Sequence, residues 1–236
     1  MKLTQDQAQA ILDTVDAGLV CGLGKREPGK MCVEAAVCYA LGLPHSDDPG
    51  CVGAAVRAFK IRLNDSFWSS GEARARGLRK LAIAQIGSDH LDQVEFSKKL
   101  ALGVVKRLLP VLFRLPCYTG RFEAYAVRCA EVIDLVDATE AADAAHASYA
   151  TEAADAAHAS YAAAHAAHAS YATEAADAAA RAATAAARAA TAAARAATAA
   201  GADTFLTLGA QIALDVLIEM KSPGCEWLVL ADAGTL

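Results

Sequence analysis

Ala138-Thr-Glu-Ala-Ala-Asp-Ala-Ala-His-Ala-Ser-Tyr149 returns unchanged at 150–161, and a degraded copy ends at Tyr171. A partial copy from Ala172 then leads into a seven-residue unit, with Arg181, Arg188 and Arg195 and Thr184, Thr191 and Thr198 at equal steps. The 63 residues from Ala138 to Ala200 hold 38 of the 60 alanines in this 236-residue chain. Alanine is the best helix former, because it loses no side-chain entropy and buries no polar group. Neither Gly nor Pro interrupts the 80 residues between Gly120 and Gly201. One helix of that length would run about 120 Å at about 1.5 Å per residue. The tract therefore reads as a long alanine-rich helical stalk, or as a hairpin folded back through its Ser, His, Tyr and Thr positions. The fold class that follows is all-α, a multi-helix head domain carrying this element.

The two repeat periods imply different surfaces. Seven residues turn a helix by about 700°, so each heptad lags by only about 20°. Arg181, Arg188 and Arg195 then form one stripe and Thr184, Thr191 and Thr198 an adjacent one, on a surface otherwise of alanine that a second helix can approach closely. The twelve-residue unit advances by about 120° per copy, so its Glu and His positions spiral round the helix. An alanine face buries little area per residue and needs a partner helix. The expected partner is another protein or a second copy of this chain. Asp143 and His146, like Asp155 and His158, lie one turn apart, as carboxylate–histidine pairs do in metal-binding bundles. Lying in an exact tandem repeat, they read instead as solvated helix faces, and neither a metal nor a cofactor is expected.

Outside the tract the chain reads as short helices. Residues 1–137 carry 18 Lys and Arg against 16 Asp and Glu, and residues 201–236 carry 1 against 5. Thr4 followed by Gln7 is a capping-box pattern opening a helix toward Asp16. Gly18–Gly29 is a glycine-dotted loop. Helices are expected over about 30–41 and 52–63, with a turn-rich loop at Pro44–Gly50 between them and a break at Asn64-Asp65-Ser66. Ser69 with Glu72 predicts a second capping box, and a helix toward Ile86 with Leu78, Leu81, Ala82 and Gln85 on one stripe. The stretch 91–115 is amphipathic, with Leu100, Val104, Val105, Leu108 and Leu112 in register, and Pro110 should kink or end it. Gly201 should end the alanine helix, and Pro223-Gly224 a last helix near 203–220.

Three groups of residues could carry chemistry. Arg57, Lys60, Arg62, Arg74, Arg76, Arg79 and Lys80 face only Asp65 and Glu72, a local net charge of +5, with Phe67 and Trp68 in the turn between them. Such a segment could contact the phosphates of a nucleic acid; a solvated face with Trp68 in the core is the plainer reading. Cys32, near a helix start that would lower its pKa, with His45 and Asp48 nearby, could be a thiol nucleophile with a base and that base's orienter. The plainer reading is a core thiol and a loop histidine. Seven cysteines without a C-x-x-C pair read as reduced, mostly buried thiols. The first residues lack an apolar h-region, and the alanine tract is charged at short intervals. The expected location is cytoplasmic, with no membrane span.

Met31-Cys-Val-Glu-Ala-Ala-Val-Cys-Tyr-Ala-Leu-Gly-Leu-Pro-His45, Ile61-Arg-Leu-Asn-Asp65 with Trp68-Ser-Ser70, Leu81-Ala-Ile-Ala-Gln-Ile-Gly-Ser88 and Ile218-Glu-Met-Lys-Ser-Pro-Gly-Cys-Glu-Trp227-Leu look like an uncharacterised family of alanine-rich bacterial and phage proteins. The resemblance covers roughly the first 90 residues and the last 20. It implies a bacterial or phage origin and a head whose two ends meet across a variable alanine-rich insert, and it implies no activity. The expected organisation is a head over 1–137, a repeat helix or hairpin over 138–200, and a C-terminal helix and tail over 201–236 that dock on the head. The expected function is a non-catalytic interaction or scaffolding protein. A nucleic-acid-binding protein using 57–80 is the first alternative and a cysteine-dependent enzyme the second.

Overall fold

Thr4 opens the first helix as its spacing predicts. Its hydroxyl accepts from the Gln7 N–H and the Gln7 side chain answers to the Thr4 N–H, which satisfies two of the orphan donors of α1, Gln5–Asp16. The computed structural model describes residues 3–114, 120, 122–134, 137, 140, 141 and 199–233. Within them the chain is helical, and the β-structure is one isolated bridge between Gly24 and Met31. The all-α expectation is met.

Cys32 rather than Lys30 bounds the second helix. Its Sγ accepts from the Ala35 N–H, and α2 runs Val33–Ala40 with every residue from Val33 to Cys38 buried. No side-chain cap opens α3, Ala54–Asn64. Ser70, not Ser69, caps α4, Gly71–Ala84, through the Ala73 N–H. Ser69 is turned instead onto Asp203, which accepts from its N–H at 2.9 Å and from its hydroxyl. Leu78, Leu81, Ala82 and Gln85 are all buried, as the stripe predicts.

Pro110 does not end the amphipathic stretch, but the regular α-helix is interrupted just before it. Helix α5, Gln93–Gly103, passes into a π turn over Val104–Leu108 and on into α6, Leu109–Phe113. The Leu109 N–H reaches back five residues to the Val104 carbonyl. A proline ring presses on the carbonyl four residues before it, and the wider π turn supplies room at that point. The five predicted in-register residues all fall in the core. Helix α7 spans Glu123–Ala130, and the next long described helix is α8, Ala199–Glu219, which runs through Gly201. The expected stop there is not made; a glycine inside a helix costs only about 1 kcal/mol, which tertiary packing outweighs.

Helix α4 is the hub. It packs on α1, α2 and α8, and on the C-terminal segment formed by a 3-10 turn over Pro223–Trp227 and α9, Leu228–Ala233. Helix α8 also packs on α3 and α5, and α6 on α7. The apolar C-terminal segment therefore packs against α4. Two bonds pin it to the end of α4: the Ser222 hydroxyl donates to the Ala84 carbonyl at 2.6 Å and the Gly224 N–H to the Ile86 carbonyl at 2.8 Å. Gly224 leaves no room for a side chain, since a Cβ there would sit 2.0 Å from the Ile83 carbonyl oxygen.

Gly224→Ala must separate that segment from α4. It should lower the unfolding free energy by about 1–3 kcal/mol in a urea titration, the usual cost of forced overpacking; an unchanged midpoint would show that the clasp is dispensable.

Candidate functional site

The basic segment does not present seven cations to a ligand. Five of them are engaged by this chain's own acceptors. Lys60 is buried against Glu34, and Arg57 pairs with Asp48. Arg74 is buried and donates to the carbonyls of Asn64 at 2.8 Å and Leu19 at 2.9 Å. Arg79 is buried and grips Asp16 with two parallel bonds, of 2.7 and 3.0 Å, while its third donor meets the Ala231 carbonyl. Lys80 pairs with Asp232 at 2.5 Å. Arg62 and Arg76 remain exposed, and Trp68 lies in the core with its indole N–H on the Leu63 carbonyl. The expected solvated cationic face is thus largely an internal set of fasteners.

The strongest internal feature joins α2, α3 and α4. Glu34, Lys60 and Gln85 each have no exposed surface. Lys60 Nζ lies 3.0 Å from Glu34 Oε1, and the Gln85 amide donates to Glu34 Oε2 at 3.2 Å. The Lys60–Glu34 approach is a charge contact rather than a directed hydrogen bond, so Nζ and Oε1 have no aligned hydrogen-bond partner, and neither does Gln85 Oε1. Burial pushes the Glu34 carboxyl up and the Lys60 ammonium down, and each partner's charge opposes the shift of the other. Desolvating two charges costs several kcal/mol each, so such a pair holds only while both members are present.

Asn64 extends this interior toward the glycine loop. Its side-chain oxygen accepts from the Val33 N–H at 3.2 Å, and its amide donates to the Val20 carbonyl at 2.9 Å and to Asp65 Oδ1 at 2.8 Å. Asp65 in turn accepts from the Gly22 N–H at 2.7 Å. Cys32, Glu34, Asn64 and Asp65 line a cavity of about 30 Å³ under the loop, enough for one water.

Cys32 and His45 are not brought together as nucleophile and base. Burial pushes the Cys32 thiol up, against the opposing pull of the Ala35 N–H, so the expected lowering at a helix start is reversed. His45 Nε2 faces the Gly24 carbonyl at 3.2 Å. Asp48, the expected orienter, serves Arg57. Of the described cysteines, Cys32, Cys38, Cys51 and Cys129 are buried, Cys225 is half-buried and Cys21 is exposed. Burial raises Cys38, Cys129 and Cys225 to about 11. Among the described residues no cluster of His, Cys, Asp and Glu could hold a metal ion, and no helix is long and apolar enough to cross a membrane. The packing stripe of Arg181, Thr184, Arg188, Thr191, Arg195 and Thr198 lies outside the described residues.

One surface concavity was not foreseen. A groove of about 160 Å³ is lined by residues of α4 and α8 together with Ala231 of α9. Gly77 forms part of its wall, where a Cβ would meet the Trp68 ring at 2.3 Å. Its apolar lining comes from Leu81, Ala210 and Leu214, and its charged lining from Arg76, Arg79 and Lys80.

Two outcomes test this site. Lys60→Met alone strands the Glu34 carboxylate and should cost about 3–5 kcal/mol in urea unfolding, whereas adding Glu34→Leu should recover most of that loss. A double variant no more stable than the single one would contradict the pairing. Brief alkylation of the folded chain at about pH 7.5 should label Cys21 first among the six described thiols by mass spectrometry, the buried ones reacting only in denaturant; early labelling of Cys32 would contradict its placement.

No protein-family model matches the chain, no curated protein matches it, and no solved structure matches it.

Proposed function

We propose that this is a non-catalytic interaction or scaffolding protein, in which a folded helical head holds both ends of an alanine-rich insert whose helices associate with those of another copy. The observation that carries this is how the insert is anchored. On one side Ala141 is buried. On the other, the chain resumes in α8, which packs on α3, α4 and α5. A chain that leaves and re-enters one core can lengthen its insert without disturbing that core, which suits a tract built of exact repeats.

The charge order of the insert adds support. Its six carboxylates, from Glu140 to Asp177, come without a single Lys or Arg between them, and its three arginines follow at 181, 188 and 195. Two halves of opposite sign complement one another when copies align antiparallel, which sets register as well as attraction.

Size exclusion with light scattering checks this on the full chain and on a chain in which 142–198 is replaced by a Gly/Ser linker of about 20 residues, with a mean reach of about 25 Å. The full chain should elute as a discrete oligomer free of nucleic acid and the linker chain as a monomer. A full chain eluting at 24.4 kDa, or one that carries nucleic acid into the peak, would contradict the proposal.

A further inference from the structure

The groove between α4 and α8 lies on the head and takes no part in the proposed association of the insert. We propose that it is a binding site for a small organic carboxylate with an apolar body of about six carbons. Size sets the body: the groove holds about 160 Å³, and a cavity of about 150 Å³ accepts benzene. The lining sets the polarity. Leu81, Ala210 and Leu214 offer an apolar floor, and three cations but no carboxylate line the walls.

The three cations are not equivalent. Arg79 is buried and its charge is already paired with Asp16, with a further bond to the Ala231 carbonyl, so it chiefly shapes the wall. Lys80 shares its charge with Asp232 at 2.5 Å. Arg76 is exposed, interacts electrostatically with Glu72 one turn earlier and, among the described residues, is the one cation of the three without a close ion pair. A guanidinium offers a carboxylate two parallel hydrogen bonds, which an ammonium cannot match. Thr207, on the facing helix, adds a hydroxyl beside it. A ligand with its carboxylate on Arg76 and its body on the Leu81–Leu214 floor would use both chemistries of the groove at once.

The test is an amide NMR titration of the full chain with benzoate, repeated with benzamide and with inorganic phosphate. Benzoate should give saturable shifts at 76–81 and 207–214 with a Kd of about 1 mM or tighter. Benzamide, which keeps the body without the charge, and phosphate, which keeps charge without the body, should each bind at least about tenfold more weakly. Arg76→Gln should weaken benzoate by about tenfold, and because Arg76 is exposed its spectrum elsewhere should be unchanged. Thr207→Phe, which fills the mouth from the other helix, should abolish the shifts. Absent or non-saturating shifts, shifts elsewhere on the head, or equal responses to benzoate and benzamide would overturn the proposal.

Discussion

A lysine and a glutamate with no access to water sit between three helices, and each is tolerated there only beside the other. Glu34 comes from α2, Lys60 from α3, and Gln85 follows the last turn of α4. An apolar trio would tolerate sliding of one helix over another. A buried charge pair at 3.0 Å does not, because any displacement leaves two desolvated charges apart. The pair thus sets the mutual register of α2 and α3, and Gln85 ties the end of α4 to the same point. That end also receives Ser222 and Gly224 of the C-terminal segment. Helix α1 and the segment 223–233 are both packed on this one helix, α4.

The arginines extend the same logic outward. Arg74 bonds the Leu19 carbonyl where the glycine loop begins and the Asn64 carbonyl where α3 ends. Arg79 locks α1 to α9 by holding Asp16 and the Ala231 carbonyl together. Each replaces a hydrophobic contact by directed bonds that only one arrangement satisfies. A set of helices held this way resists rearrangement.

Much of the fold was legible in local chemistry. Thr4 and Gln7 announce their cap three residues apart, and the 3.6-residue stripe of Leu78, Leu81, Ala82 and Gln85 names the buried face of α4. The site was harder to read, because a helical Arg or Lys has the same spacing whether it faces water or a carboxylate from another helix. Lys60, Arg74 and Arg79 look like a cationic face in sequence and turn inward in space. One signal was available: Glu34 is the lone charge within Val33–Cys38, a run too apolar to leave it solvated. The helix start at Cys32 hid the opposite lesson, since burial outweighs the cap in setting its thiol. Gly201 misleads because a glycine inside a helix costs only about 1 kcal/mol, and α8 runs through it.

The central claim is that the head is self-sufficient and the insert is what it carries. Native-state hydrogen exchange tests it directly, comparing the full chain with one in which 142–198 is replaced by a flexible linker. The account predicts equal protection of the amides in α2, α3 and α4 in both chains, with opening free energies close to the global value. Loss of that protection on removing the insert would show that the head's core depends on the tract, and would contradict the account.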